Sequence, residues 1–387
     1  MSVKALRILS LIAAMAASLA AMATDIVCEA GRLAALVGAD AATITELRLS
    51  GSANAADLTF MAEEMPALRV LDMTTLAIDE IPAGAFASTS LEAVNMPISA
   101  KRVGLGAFAA CKNLQSAILS PSAVYEGYTF RDCTALEWVK LNGCTEVSPW
   151  QFAGCAALQT VEGTENLVEI GANAFAYCEA LTDISFGENL KEIGRASFMR
   201  SGLKHADLSK TSLDSIPSLA FSSGYMLNTI VLPAETSSLG DYAMAMTAGL
   251  ENIEAQQLRS VPALGADTWA GVAVPAVNLY VDPSMVDTFK SAPEWQDFNI
   301  LVGSGVAEII ADSRLSCSLE GGIITITSPD AEIASLQLYD ASGVLLKSAE
   351  VSARSCKTDI SDLDSTKIII VAAKLTDGRL AAFKLAK

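Results

Sequence analysis

Large apolar residues recur through the middle of the chain at an interval of 22 or 23 residues, which lengthens to 25 only at the last step. These anchor positions are Phe86, Phe108, Phe130, Phe152, Phe175, Phe198, Phe221, Met244 and Trp269. An apolar residue precedes each anchor by five positions, and a leucine follows most of them by five or six. Units that keep one register in this way identify an internal repeat, which determines the architecture before local propensities do.

Each unit is predicted to form one turn of a solenoid. The segment from the leucine onward, as in "LEWVKL" (136–141) and "LTDISF" (181–186), alternates inward and outward positions and predicts a short strand. A turn and a compact bend that carries the anchor complete the unit. No unit can bury its apolar face alone, so stacking should place Phe on Phe and Leu on Leu and align the strands in one parallel sheet. The predicted fold is therefore mainly β.

The stretch "IGANAFAYCEALTDISF" resembles the BspA-like leucine-rich repeat, whose pattern runs Ile-Gly-x-x-Ala-Phe-x-x-Cys-x-x-Leu-x-x-Ile-x-Leu. The resemblance covers residues 78–302, and the last unit resembles the terminal turn and short helix that close such arrays. Residues 24–77 resemble the family's N-terminal capping segment, with strands around Leu47–Leu49 and Leu68–Leu71 and a helix near Asp57–Met65. The resemblance implies a right-handed leucine-rich-repeat solenoid with a parallel β-sheet, short turns and helical bends. It further implies export by anaerobic Gram-negative bacteria and a role in adhesion or protein binding, with no enzymatic activity.

The repeat register stops near residue 303, where "GSG" (303–305) predicts a linker. Alternating segments in residues 303–387 predict a small C-terminal β-sandwich-like domain, with hairpin turns at Asp340–Gly343 and Asp377–Gly378. "LQLYDASGVLLKS" and the closing "DGRLAAFKLAK" resemble the C-terminal sorting domains of type IX secretion. That family's usual Gly-Ile/Val-Tyr is replaced here by "STKIIIVAA". The tail is therefore either a sorting signal, cleaved or retained, or a permanent cap on the open edge of the solenoid.

The first 23 residues have the features of a secretory signal peptide. They contain a basic start (Lys4, Arg7), an apolar run of about a dozen residues and an Ala21-Met22-Ala23 cleavage site, so the mature chain should begin near Thr24. The alternative, a membrane anchor, would need a run of about 20 apolar residues. We therefore expect no transmembrane segment after signal cleavage. No lipobox precedes Cys28, so a lipoprotein is not predicted.

Composition and charge limit the partners. The chain is 51% hydrophobic and 18% charged, which excludes a disordered or fibrous protein. Its formal net charge of −18 becomes −20 when the two basic residues of the signal peptide are removed, leaving 24 basic and 44 acidic residues. Such a surface repels phosphate backbones, so we expect no nucleic-acid partner. Keeping an exported protein soluble is by itself a sufficient reason for this acidity. We also expect the protein to be a monomer.

Eight cysteines in an exported chain raise the question of disulfides. Cys111, Cys133, Cys155 and Cys178 each follow a Phe anchor by three residues, and Cys144 falls where other units carry Leu or Ile. Because equivalent positions in successive units are not natural disulfide partners, we expect these five to be buried, unreactive thiols. Cys317 and Cys356 could bridge two strands of the tail. Cys28 has no evident partner.

Candidate chemistry is sparse. His205 is the only histidine, which excludes histidine-rich metal sites and paired-histidine acid–base schemes. The carboxylates of "DLSKTSLDS" (207–215) are spread over a strand end and a turn, and no P-loop, dinucleotide, HExxH or GxSxG motif occurs. We therefore expect no catalytic residue, no metal site and no cofactor.

The remaining feature is a surface. In each predicted strand the residues two and four positions after the leucine should face outward, and stacking should join them into two continuous columns, which we call the strand-face ribbon. The candidate ligand-binding residues on it are Ile118, Trp138, Lys140, Glu162, Asp183, His205 and Asp207. An exposed Trp138 would resemble an interface hot spot. The alternative is that Trp138 packs on the side chains of its neighbours.

Three functions remain open. The first is an exported binding or adhesion protein that uses the strand-face ribbon to hold a protein or a glycan at the cell surface or outside the cell. The second is a structural spacer of the envelope without a specific ligand. The third is a glycosidase that depends on two carboxylates, which would lie in a cleft roughly 5–9 Å apart.

Overall fold

The computed structural model describes residues 23–302, 316–320, 322–329, 331–340, 345–360, 368–376 and 380–386. The chain divides into two compact units, one formed by Met1–Glu251 and Pro262–Ala273 and the other by Asn252–Val261 and Val274–Lys387. The apolar run of the predicted signal peptide and the predicted linker at 303–305 lie outside the described residues. No helix in the described ranges has both the length and the apolar character needed to span a bilayer.

Short strands dominate residues 23–302. In chain order they are β1 (Thr24–Cys28), β2 (Glu46–Ser52), β3 (Val70–Asp72), β4 (Leu76–Ala77), β5 (Glu80–Ile81), β6 (Ala93–Asn95), β7 (Arg102–Val103), β8 (Ser116–Ile118), β9 (Val124–Tyr125), β10 (Trp138–Lys140), β11 (Glu146–Val147), β12 (Thr160–Glu162), β13 (Glu169–Ile170), β14 (Glu192–Ile193), β15 (His205–Asp207), β16 (Ser215–Ile216), β17 (Thr229–Val231), β18 (Ser238–Leu239), β19 (Asn252–Ala255), β20 (Ala263–Leu264), β21 (Asn278–Val281) and β22 (Asn299–Val302). The helices are α1 (Leu33–Val37), α2 (Ala55–Glu64) and α3 (Val286–Ser291), with short 3-10 turns at Gly38–Asp40, Thr164–Asn166, Val274–Ala276, Pro283–Met285 and Trp295–Asp297.

The N-terminal segment of the first unit begins the array. Strand β2 and strand β3 flank helix α2, as predicted from the sequence, whereas β1 and α1 were not predicted. Helix α2 begins after Asn54, whose side-chain oxygen accepts hydrogen bonds from the amides of Ala56 and Asp57, while the Asp57 carboxylate accepts one from the Asn54 amide. This reciprocal capping box fixes the start of the helix.

A parallel sheet runs through the first unit in the order β1-β2-β3-β6-β8-β10-β12, with β4 beside β2. From β3 onward each strand of this sheet begins two residues after a repeat leucine or its equivalent, so the sheet is made of equivalent segments of successive turns. Further along, β15 pairs with β17 in the same parallel sense. The chain is mainly β with parallel sheets and few helices, which confirms the coarse fold predicted from the repeat.

A second set of strands, each two residues long, was not predicted. It forms the parallel groups β5-β7-β9, β11-β13-β14 and β16-β18-β20. Each of these strands ends at the apolar residue that precedes an anchor by five positions, such as Val147 or Ile170, and those side chains are buried. Two residues are too few for an alternating pattern, so the sequence predicted the buried residue and missed the strand.

The Phe anchors stack on one another through the first unit, as predicted. From Phe86 to Phe221 the centroids of successive rings lie 5.2 to 5.6 Å apart, and the ring planes are within 14° of parallel. The seven side chains are at most 1% exposed. Met244 and Trp269 continue the series as buried residues. The repeated aromatic is therefore the centre of a single elongated core.

The strand predicted for "LTDISF" is wrong, because residues 181–186 form no strand. Phe186 stands where most of the neighbouring turns carry leucine, and its ring meets the ring of Phe198 edge to face at 5.5 Å. In this turn the larger side chain enters the core, and residues 183–186 form no strand, although the Thr182 carbonyl still accepts a hydrogen bond from the Lys204 amide at 3.2 Å. The sheet of three-residue strands is therefore interrupted between β12 and β15.

The second unit contains the last turns of the array and the tail. Strands β19, β21 and β22 are parallel, and Phe289 of α3 meets Trp295 edge to face at 5.5 Å. This short helix was predicted for the closing turn. Residues 274–302 thus end in a packed aromatic cluster that also contains Phe298, 5.6 Å from Trp295.

The tail consists of antiparallel strands β23 (Ser316–Glu320), β24 (Ile323–Thr327), β25 (Ile333–Asp340), β26 (Leu345–Ala353), β27 (Ser355–Asp359), β28 (Ile368–Leu375) and β29 (Leu380–Ala386). They pair in the orders β23-β24-β27 and β26-β25-β28-β29. Residues from both groups, including Ile326 and Leu336, share one apolar cluster. Strands β25 and β26, and likewise β28 and β29, pair as hairpins; most residues of the two predicted turns lie outside the described residues.

The suggested bridge between Cys317 and Cys356 does not form. Both residues pair with Ile326, from opposite sides of β24, so β24 lies between them. Two strand spacings separate their Cα atoms by about 10 Å, beyond the reach of a disulfide. All eight cysteines are unpaired thiols.

Candidate functional site

Three of the predicted binding residues lie side by side on the strand-face ribbon. Lys140 of β10 pairs in register with Ile118 of β8 on one side and Glu162 of β12 on the other. Lys140 is exposed, and Ile118 and Glu162 are half-buried. Adjacent strands are about 4.8 Å apart, so an apolar, a cationic and an anionic side chain stand in one row.

Trp138 packs on its neighbours and is not an exposed residue of the ribbon. Its side chain is only 7% exposed, and its indole N–H donates a 3.0 Å hydrogen bond to the Glu162 carboxylate. In register beside it stands Ser116, followed by Ala93, and both are buried although they occupy an outward column. Trp138 is therefore a packing residue of this face, and the interpretation that it packs on its neighbours is correct.

The other three predicted residues are separated from this row. His205 and Asp207 lie on β15, with His205 exposed and the Asp207 carboxylate accepting a hydrogen bond from the Ser209 amide. Asp183 is exposed in the segment that forms no strand. The ribbon is therefore not continuous: the structure brings Ile118, Lys140 and Glu162 together, and it places His205 and Asp207 beyond the interruption.

The third function, a glycosidase, would need two acids in a cleft. Asp57 is the one fully buried acid among the residues that the structure describes. Both of its oxygens accept backbone N–H groups, from Gly31 and Asn54 on one oxygen and from Leu33 on the other. Asp57 thus fixes the starts of α1 and α2 and has a structural role.

The cysteine column is buried, as predicted. Each thiol of the column donates to the carbonyl of the Phe anchor in the preceding turn, at 3.0 to 3.2 Å, for the pairs Cys111 and Phe86, Cys133 and Phe108, Cys155 and Phe130, and Cys178 and Phe152. Burial raises the pKa of Cys155 and of Cys178, and it raises the pKa of Cys144 to about 11. Cys144, Cys155 and Cys178 therefore stay protonated and unreactive at neutral pH. At Cys111 a hydrogen bond with Cys133 outweighs burial and lowers the pKa to about 7.

A second polar and aromatic cluster was missed by the sequence analysis. Tyr128 and Trp150 stand two residues before successive anchors, and their rings stack with centroids 5.7 Å apart and planes 5° from parallel. The guanidinium of Arg131 lies 5.5 Å from both centroids and forms an ion pair with Asp132 at 3.3 Å. We call Tyr128, Trp150 and Arg131 the turn platform. In the sequence this cluster could have been found from two aromatic residues that stand 22 positions apart and outside the columns of core residues.

The stacked turns, the two sets of parallel strands and the column of buried anchors define a leucine-rich-repeat solenoid. Leucine-rich-repeat proteins are generally non-enzymatic binding proteins. Residues 79–269 match the family model of the BspA type leucine rich repeat region, in overlapping stretches 79–202 and 145–269 with six copies. This match agrees with the resemblance to BspA-like leucine-rich repeats found in the sequence.

Solved structures of leucine-rich-repeat proteins are similar at low identity. A leucine-rich repeat protein from Bacteroides ovatus shares 16% identity, with 72% of this chain and 90% of that chain covered and a TM-score of 0.37. A leucine rich cell surface protein from Faecalibacterium prausnitzii shares 18%, with 59% and 83% covered and a TM-score of 0.31. A leucine-rich repeat protein of T. pallidum shares 20%, with 49% and 68% covered and a TM-score of 0.27. No curated protein matches the chain.

Proposed function

We propose that this chain is an exported, non-enzymatic binding protein that uses the strand-face ribbon to hold a protein or a glycan at the cell surface or outside the cell. One observation carries the proposal: Ile118, Lys140 and Glu162 stand in register on three adjacent strands. An apolar side chain next to two opposite charges offers a partner both apolar contact and charge complementarity. The buried Trp138 beneath this row holds Glu162 in place.

Export rests on separate support. Residues 1–23 have the features of a signal peptide, and the first strand begins at Thr24, where the mature chain is predicted to start. We assign residues 24–77 as the N-terminal cap, residues 78–302 as the repeats with their closing turn, and residues 303–387 as a β-sandwich-like tail. The tail acts either as a sorting signal for secretion or as a cap. Deleting residues 303–387 and fractionating the producing bacterium would distinguish these roles, since only a sorting signal is needed for release.

The binding test uses two double variants that make the same chemical changes at different places. Ile118→Asp with Lys140→Glu places two negative charges on the strand-face ribbon. Val124→Asp with Lys191→Glu makes the same changes at an exposed valine of β9 and at an exposed lysine next to β14. The mature protein, residues 24–387, and both variants are titrated onto purified extracellular-matrix proteins and a glycan array.

The proposal requires that the wild type binds at least one ligand, that the ribbon variant loses this binding, and that the matched control retains it. Equal binding by all three proteins would place the binding surface elsewhere. No binding by the wild type would support the second function, a structural spacer of the envelope, because that function needs no ligand. Circular dichroism of each variant confirms that the fold is intact before binding is compared.

A further inference from the structure

The turn platform has one aromatic face that no residue of its own column covers. Tyr128 stacks on Trp150 on one side. On the other side the equivalent position one turn earlier is Gly106, and one turn further it is Gly84. A Cβ atom added at Gly106 would meet only Ala109, at 3.5 Å, and one added at Gly84 would meet nothing within 4 Å. An open shelf two turns long, about 10 Å at the spacing of parallel strands, therefore lies before the outer face of Tyr128.

The cation of the platform lies beside the aromatic pair and leaves this face free. The guanidinium carbon of Arg131 is 5.5 Å from the ring centroid of Tyr128 and 5.5 Å from that of Trp150. Because it is equally distant from both rings, it lies at the side of the stacked pair and not on the outer face of Tyr128. Arg131 is paired with Asp132, and their side chains are 45% and 54% exposed. A donor and an acceptor of hydrogen bonds thus stand at the edge of the aromatic pair and in contact with solvent.

Charge narrows the chemistry of the ligand. The mature chain carries a net charge near −20, which disfavours sulfated, sialylated or nucleic-acid ligands. Arg131 disfavours a cation at the ring face. What remains is a neutral ligand that has one face of C–H groups and hydroxyls around its rim. The C–H face of a pyranose ring is attracted to the negative face of an aromatic ring, and its hydroxyls can bond to an Arg–Asp pair.

We propose that the turn platform of Tyr128, Trp150 and Arg131 binds neutral pyranose rings of a glycan, with one sugar stacked on Tyr128 above Gly106 and its hydroxyls bonded to Arg131 and Asp132. This site lies on the turns before the Phe anchors and not on the strand-face ribbon. It is therefore independent of the binding surface proposed above.

The test removes or covers the shelf with substitutions that the backbone accepts. Tyr128 has φ +52°, a left-handed conformation that glycine adopts without strain, so Tyr128→Gly deletes the ring and keeps the turn. Gly106, at φ +61°, is changed to Asn, which tolerates this conformation and would occupy the shelf. Tyr242→Gly is the matched control, because Tyr242 also stands two residues before its anchor, has φ +56° and lies outside the shelf.

The mature protein and the three variants are applied to an array of neutral oligosaccharides ending in glucose, galactose, mannose or N-acetylglucosamine. Sugars that bind are then titrated while the intrinsic tryptophan fluorescence is recorded. We expect Tyr128→Gly and Gly106→Asn to weaken binding about tenfold or more and Tyr242→Gly to leave it unchanged. The ribbon variant Ile118→Asp with Lys140→Glu should also retain this glycan binding, which separates this proposal from the proposed function.

Two results would overturn the proposal. One is the absence of any retained neutral glycan, or glycan binding that survives both Tyr128→Gly and Gly106→Asn. The other is binding to a matrix protein that depends on Tyr128 and is not inhibited by free sugar, which would assign the platform to a protein ligand.

Discussion

The thiol of Cys155 donates a hydrogen bond to the carbonyl of Phe130, one turn of the solenoid earlier, at 3.2 Å. Thr247 occupies the same position three residues after its anchor, but its hydroxyl bonds within its own turn, to the carbonyl of Met244 at 2.7 Å. The cysteine column therefore ties successive turns together, whereas the threonine closes a single turn. At Cys155 this hydrogen bond needs a thiol that remains protonated, and burial raises its pKa.

The first prediction concerns alkaline pH. Burial raises the pKa of Cys155 in the fold above the ordinary value of 9.0, so its stabilising contribution is complete below about pH 9 and is lost as the pH rises through the folded-state pKa. Cys144, whose pKa is about 11, behaves alike. We expect the free energy of unfolding to fall between pH 9 and about pH 11 by about 1.4 kcal/mol per pH unit for each such thiol.

Denaturant unfolding of Cys155→Ala, in the presence of a reductant, measures this effect. The variant should lose about 1–2 kcal/mol at pH 7, because a buried hydrogen bond and packing are removed, and its decline above pH 9 should be less steep than that of the wild type. Thr247→Ala is the control, since it loses a comparable hydrogen bond but no ionisable group. An identical alkaline slope in wild type and Cys155→Ala would contradict the role given to burial.

The second prediction concerns the aromatic core. Phe175 lies between Phe152 and Phe198, 5.5 Å from each, and is fully buried. Phe175→Ala should lower the free energy of unfolding by about 3–5 kcal/mol, because it leaves a cavity and removes two ring contacts. Lys191→Ala, at an exposed position, should change it by no more than about 0.5 kcal/mol. Similar losses for both variants in urea titrations would mean that the Phe column is not the core.

The third prediction distinguishes packing from binding at Trp138. Because the indole is buried and bonded to Glu162, Trp138→Ala should lower the free energy of unfolding by about 3 kcal/mol. Lys140→Ala, two residues along the same strand and exposed, should leave stability almost unchanged. The measurement is thermal unfolding of both variants. An unchanged stability of Trp138→Ala would restore the tryptophan as a surface contact residue.

The fourth prediction concerns a row of acids. Glu146, Glu169 and Glu192 pair in register on β11, β13 and β14, and burial, followed by the two neighbouring carboxylates, raises the pKa of Glu169. A carboxyl whose pKa is raised favours the fold when it is protonated, so the fold loses this contribution as the pH rises through that pKa. Glu169→Gln should therefore add about 0.2–1 kcal/mol at pH 7 and little at pH 4.

The control for this variant is Glu165→Gln, an exposed acid of the neighbouring 3-10 turn. It removes the same charge from a very acidic protein without touching the row. If Glu165→Gln stabilised the chain at pH 7 as much as Glu169→Gln, then the relief would come from the net charge and not from the neighbouring carboxylates. Chemical denaturation at the two pH values makes the comparison.

The fifth prediction is that the two tail cysteines remain thiols in the mature, exported protein. Strand β24 separates Cys317 from Cys356, so reduction should not change the melting temperature. Alkylation of the unfolded protein without a reductant should modify all eight cysteines, as counted by intact mass. A mass that is two labels short would show that the tail strands had rearranged.

The sequence predicted the core well because burial repeats with the period of the turn. The Phe column, the leucine strands and the five buried cysteines all follow from positions 22 or 23 residues apart. The sequence did not predict features that depend on which side chains of successive turns contact each other. Trp138 occupies an outward position, yet it is buried and its indole bonds to Glu162 of the next strand.

The same limit explains the other differences. Phe186 satisfies the apolar pattern of its unit, yet the segment before it forms no strand. Tyr128 and Trp150 look unremarkable in their own turns, and they become a stacked pair only when the solenoid places residues 22 positions apart next to each other. A pattern of apolar and polar positions does not show how large each side chain is or which side chains of successive turns come into contact.

The near-identity of successive turns has a consequence for how such a chain can change. Because Phe130, Phe152 and Phe175 occupy interchangeable places in one column, loss of a whole block from β11 to the residue before β13 would bring Phe130 against Phe175 with no gap in the interior. Gene duplication or excision of one block would therefore lengthen or shorten the molecule while its stability per turn stayed almost constant. The length of the solenoid can therefore change without a change in how each turn is stabilised. The number of surface positions available for recognition can evolve while the interior stays the same.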